Sequence, residues 1–93
     1  MPTFVMLTNL TADGVKTLKN NPGRVSEVNH EVEALGAKVI AQYATLGQYD
    51  FVTVIEAPSD EVMARVSIEM GSRGTMTSQT LAALAPERLT EVL

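Results

Sequence analysis

Apolar and polar positions follow two rhythms along this chain, and the switches between them mark out its elements. Thr3-Phe4-Val5-Met6-Leu7-Thr8 predicts a first strand, ended by Asn9-Leu10-Thr11, where a side-chain oxygen can cap a helix. Val15, Leu18, Val25, Val28, Val32 and Leu35 then recur at helical spacing. Asn21-Pro22-Gly23 interrupts this stripe, because Pro22 lacks an amide donor and Gly23 is a poor helix former. The interruption predicts either a kinked helix or a second helix capped by Asn21, with Pro22 in its first position. Gly36 is a helix stop, and Lys38–Leu46 and Asp50–Ala57 follow as two strands joined by a short hairpin at Gly47-Gln48-Tyr49. Ser59 caps a helix running to about Met70, with Val62, Met63, Val66 and Met70 on one face. Gly71-Ser72-Arg73-Gly74 turns the chain into a fourth strand, Thr75–Leu84, and Leu89, Val92 and Leu93 share one side of a short helix after Pro86.

The order is that of an α+β, ferredoxin-like βαββαβ sandwich spanning residues 1–93 as one domain, with two helices on one face of a four-stranded antiparallel sheet. The other face is apolar too. Val5 and Leu7 oppose Phe4 and Met6 in the first strand, and Val52 and Val54 oppose Phe51 and Ile55 in the third. An antiparallel sheet with one face in water alternates apolar with polar, so something must cover this one. A second copy packed sheet to sheet does so symmetrically, which predicts a homodimer of the dimeric α+β barrel kind. The short length of the chain, 93 residues, points the same way, since small domains bury thin cores.

Charge and composition narrow the partners. With 11 acidic against 7 basic residues the net charge is −4, which repels nucleic acid, and no Lys/Arg cluster offsets it. The absence of cysteine excludes disulfides, thiolate nucleophiles and Cys-ligated metals. No apolar run is long enough to span a membrane and no basic segment precedes the first one, so a cytoplasmic protein without membrane contact is expected. No cofactor motif is present, and Gly71-Ser72-Arg73-Gly74 follows a helix, the wrong end for phosphate binding.

Glu27 and His30 have the Glu-x-x-His spacing of carboxylate-bridged di-iron helices, but His30 falls opposite the apolar stripe and is expected in solvent. As the single histidine it cannot build a three-histidine metal site within one subunit, and no metal site is expected. The hairpin carries more information. Gly47 suits a positive φ, and Tyr49 and Asp50 either serve the turn or stand at the mouth of a cavity between sheet and helices. Gln42, Tyr43 and Gln79 on the strands and Arg24 after the helix break are further candidate ligand-binding groups. Met6, Met63, Met70 and Met76 suit core filling.

The segment Thr45-Leu46-Gly47-Gln48-Tyr49-Asp50-Phe51-Val52, with Glu56-Ala57-Pro58 and Gly71-Ser72-Arg73-Gly74, resembles the GYD domain family, whose motif appears here as Gly47, Tyr49 and Asp50. Leu35-Gly36-Ala37-Lys38 is similar to its helix-to-strand passage, whereas Arg73 stands where the resemblance implies an apolar residue. The resemblance implies a dimeric α+β barrel, a group that includes cofactor-free monooxygenases, lactone isomerases and ligand-sensing domains. It implies no particular activity. The leading expectation is a non-catalytic homo-oligomeric module that binds a small, partly apolar molecule or a protein partner, with Leu89 and Leu93 or free strand edges available for larger assemblies. The alternative is a cofactor-free monooxygenase- or isomerase-like enzyme with Asp50 as base and Tyr49 as anion stabiliser.

Overall fold

A computed structural model describes all residues, 1–93. Its elements are β1 (Thr3–Leu10), α1 (Ala12–Asn20), α2 (Arg24–Ala34), β2 (Lys38–Ala44), β3 (Phe51–Glu56), α3 (Asp60–Gly71), β4 (Met76–Ala83) and α4 (Pro86–Thr90). The strands lie in the order β2-β3-β1-β4 with every neighbouring pair antiparallel, which is the ferredoxin-like arrangement of two βαβ crossovers. The helices α1 to α3 cover one face.

Local chemistry sets the helix starts. The Thr11 hydroxyl accepts the Gly14 amide at 3.2 Å to open α1, and the Ser59 hydroxyl accepts the Val62 amide at 3.2 Å to open α3. Between α1 and α2 the chain takes the second of the two expected forms, a separate helix, but with a later start than Pro22. Asn21 closes α1, its amide donating to the Thr17 carbonyl at 2.9 Å, and the Arg24 amide returns to the Asn21 carbonyl at 3.0 Å. Pro22 and Gly23 thus form a turn, and α2 begins at Arg24 without a side-chain cap. The inward side of α1 also differs from the expected stripe. Gly14 is buried against the sheet, Leu18 follows it inward, and Val15, expected in the core stripe, is 53% exposed.

Phe4 and Met6 on β1, Ile55 on β3, Val32 on α2, and Met63, Val66 and Met70 on α3 form one buried cluster with Ala37 and Ala57. Three of the nine are methionines, whose unbranched chains suit the irregular gap between helices and sheet. Only 12 of 93 residues are buried, so the isolated chain has a thin core. The face away from the helices presents Val5, Leu7, Val52, Val54 and Leu81 around the middle strands, all half-buried or exposed. Lys38, Glu56, Asn9 and Thr77 stand towards its ends.

β2 contains the one irregularity that matters for chemistry. Its pairing with β3 shifts between Val39 and Ala41, a bulge that leaves Ile40 unpaired. Val39 opposite Ile55 and Gln42 opposite Thr53 both therefore face the helices, whereas Tyr43, opposite Val52, faces away and is 65% exposed.

Candidate functional site

A cavity of about 160 Å³ lies between the sheet and the helices. Gly14 and Leu18 of α1, Val25, Val28 and Val32 of α2, Met70 of α3, and Met6, Phe51, Ile55 and Met76 of the sheet give it a largely apolar wall. Its polar groups are threonines, Asn29, Gln42, Arg24 and Arg73. The two arginines are the only charged residues that line it.

Inside, the Asn29 amide donates to Gln42 Oε1 at 2.8 Å, and Gln42 Nε2 donates to the Thr53 hydroxyl at 3.1 Å. This chain fixes the Gln42 side chain by both its ends, so its orientation is set before any ligand arrives. At the rim, Arg24 Nη1 donates to Glu27 Oε2 at 3.0 Å and to Glu31 Oε1 at 3.1 Å, while Arg73 Nη1 holds the other oxygen of Glu31. Glu31 thus bridges two guanidinium groups from α2 and from the turn after α3.

Arg73, and after it Arg24, hold the Glu31 carboxyl below its ordinary range against the opposing pull of burial. The hydrogen bond to Glu27, then that to Glu31, raises the Arg24 guanidinium further. The sign for stability follows from the ionised form being favoured in the folded chain. The Glu31 contribution is fully present above the ordinary glutamate value of 4.5 and disappears as pH falls through the lower folded value. Urea midpoints measured downwards from neutral pH should therefore fall more steeply for the native chain than for Glu31→Gln. Parallel curves would exclude the bridge as a stabilising element.

The hairpin residues lie elsewhere. Gly47 has φ +116°, which explains glycine there. Asp50 Oδ2 accepts the Leu10 amide at 2.8 Å, its own amide donates to the Thr8 carbonyl at 2.8 Å, and its carbonyl accepts the Thr45 amide at 2.8 Å. The first two bonds fasten the hairpin to the end of β1, and the third closes the hairpin itself. The Tyr49 hydroxyl donates to Gln79 Oε1 at 3.4 Å in a shallow polar depression on the opposite face of the sheet, beside Leu7 and Asn9. Neither Tyr49 nor Asp50 lines the cavity between sheet and helices. Of the candidate ligand-binding residues the structure brings Arg24 and Gln42 together there, and leaves Tyr43, Tyr49 and Gln79 on the other side.

Asp50→Ala should lower stability by about 1–3 kcal/mol, the cost of a half-buried amide left without its acceptor. Asp50→Asn, which keeps an oxygen facing Leu10, should lose less. Equal losses in urea titrations would show that the charge, not the hydrogen bond, is what the hairpin needs.

Asn29, Thr53 and Arg73 were not among the sequence candidates. Thr53 had a signal, a polar residue on the inward register between Phe51 and Ile55. Arg73 stood out only as a departure from the apolar residue the resemblance implies, and its partner, 42 positions away, was not legible. His30 is exposed on α2 as its place on the helical wheel predicts, and no three His, Cys, Asp or Glu side chains gather anywhere in a metal-binding group.

The profile of the GYD domain family matches residues 4–93, nearly the whole chain and both walls of the cavity. The chain belongs to the GYD domain family. This GYD protein is 49% identical over 85 residues to the glutamine synthetase and cystathionine beta-lyase binding protein of Thermus thermophilus, across 90% of each chain. Its fold is similar to the crystal structure of FFRP-DM1, with TM-score 0.60 and 19% identity over 90% of this chain and 100% of that one. TTHA0845, also of Thermus thermophilus, is similar at TM-score 0.59 and 21% identity, over 90% of this chain and 94% of that one. At these identities the two structures speak for the fold alone. No helix of the GYD protein is long and apolar enough to cross a membrane.

Proposed function

We propose that this GYD protein is a non-catalytic, homo-oligomeric module that binds enzymes, with glutamine synthetase and cystathionine β-lyase as its first candidate partners. The observation that carries the reading is the relative named for binding those two enzymes, which matches this chain at 49% identity over 90% of both lengths. The surface supports it. The sheet presents an apolar face that no element of the chain covers, and a second copy packed against it would extend the thin core. Leu84, Leu89, Val92 and Leu93 remain exposed around α4, in a molecule 48 Å long and 29 by 19 Å across. An exposed apolar segment of this kind suits docking to a protein. The groups proposed for catalysis do not favour an enzyme, since Asp50 is engaged with Leu10 and shares no cavity with Tyr49. Enzymes of amino-acid metabolism as partners fit a cytoplasmic setting.

Native mass spectrometry of the purified chain mixed with each enzyme from its own organism tests this. Complexes of defined stoichiometry with either enzyme are expected. An intact homo-oligomer that retains neither enzyme at micromolar concentrations would refute the reading.

A further inference from the structure

We infer that the cavity between α1, α2 and the sheet is a binding site for a small monocarboxylate with an apolar body, its carboxylate held by the guanidinium edges of Arg24 and Arg73 that Glu31 leaves free. Nothing in the enzyme-binding reading requires such a site, and the cavity lies on the helical side of the sheet, away from the face proposed for self-association.

Charge selects the ligand's head. In a chain of net charge −4, the two charged residues that line this cavity are both arginines. Their acidic partners Glu27 and Glu31 do not line it. All three rim contacts run through the Nη1 atoms, which leaves Nε and Nη2 of each guanidinium without an acceptor in the chain. That edge is the geometry which takes a carboxylate in two parallel hydrogen bonds. Two arginines facing two glutamates leave the rim near neutrality, which suits one added negative charge better than the two of a phosphate monoester.

Volume selects the body. About 160 Å³ bounded mainly by Val, Leu, Met, Phe and Ile side chains accommodates a ring or a branched chain of benzene size, as engineered apolar cavities of about 150 Å³ do. Asn29 Nδ2 is paired with Gln42 Oε1 and Gln42 Nε2 with the Thr53 hydroxyl, so a plain hydrocarbon body takes no partner away from these bonds.

The test titrates the full-length protein with 4-methylpentanoate and, separately, with its uncharged counterpart 4-methylpentanamide, followed by amide chemical shifts in two-dimensional NMR. Saturable binding of the acid at one site per chain is expected, with shifts centred on Leu18, Val28 and Gln42, and the amide should bind at least tenfold more weakly. Arg73→Gln should weaken the acid at least tenfold while leaving amide affinity within a factor of two or three. Val28→Phe, which fills the cavity and keeps both arginines, should abolish binding of both compounds. The dispersed spectrum of each variant shows directly that it has folded. No saturable shift with the acid up to tens of millimolar, equal affinity for acid and amide, or an unchanged affinity in Arg73→Gln would each overturn the assignment.

Discussion

Gly14→Ala should destabilise the chain by about 3 kcal/mol or more, the upper part of the range for overpacked interiors. A β-carbon at this position would stand 2.0 Å from the Thr75 carbonyl oxygen and 3.0 Å from its carbon. Both are backbone atoms, and neither can swing aside as a side chain would. The Thr75 carbonyl is also held by the Thr11 amide at 3.0 Å, and the Thr11 hydroxyl donates to the Gly74 carbonyl at 2.8 Å. The start of α1 and the approach to β4 are therefore joined at van der Waals distance, and relieving the overlap means breaking both bonds. Alanine gains about 1 kcal/mol over glycine in a helix interior, which is too little to offset this. Gly23→Ala is the matched control. Its new β-carbon would meet only the Asn21 side-chain oxygen at 3.4 Å, and its φ of −64° suits any residue, so little change or a small stabilisation is expected. Urea midpoints for the two variants decide the matter. A Gly14→Ala chain within about 0.5 kcal/mol of the native one would mean that α1 moves freely against β4.

Val54→Lys should convert a homo-oligomer into a monomer without unfolding it. Val54 sits on β3, opposite Val5 and on the face away from the helices, so the nine-residue core does not include it. If two sheets pack together there, the substitution places an unpaired ammonium in a desolvated apolar interface on both copies at once. A buried, unpartnered charge costs several kcal/mol, enough to dissociate a contact of ordinary size. Sedimentation velocity should show the native chain at two copies or more and the variant at one, with the far-ultraviolet circular dichroism of both alike. A native chain that sediments as a single copy would remove the sheet-to-sheet assembly from the proposal, and enzyme binding would then have to be a property of the monomer.

The hairpin illustrates where legibility stopped. Gly47, Tyr49 and Asp50 stood out in the sequence, and the positive φ of Gly47 was expected from its place in a tight turn. The partners of the other two were not legible. Asp50 reaches the amide of Leu10, and Tyr49 reaches Gln79, because β1 lies between β3 and β4 in the sheet. Gln42 and Tyr43 were equally plausible wall residues until the bulge at Ile40 set which one faces the helices. Val15 and Gly14 show the same limit in a helix, since the rotation of α1 was decided by contact with Thr75 rather than by the spacing of its apolar residues.

The sequence alone determined the order and type of the elements, the ferredoxin-like topology, the two-faced apolar sheet and the family resemblance. These depend on local periodicity, capping and turn chemistry, all carried by residues near one another in the chain. The tertiary structure decided what faces what: the cavity, its two arginines on one glutamate, the clamped Gln42 and the contact at Gly14. Arg73 and Glu31, like Gly14 and Thr75, come from distant segments, and whether such groups meet depends on crossover packing and strand register. A shift of one residue in that register reverses the direction of every side chain on a strand, and on strands apolar on both faces the hydrophobic pattern selects weakly between the two.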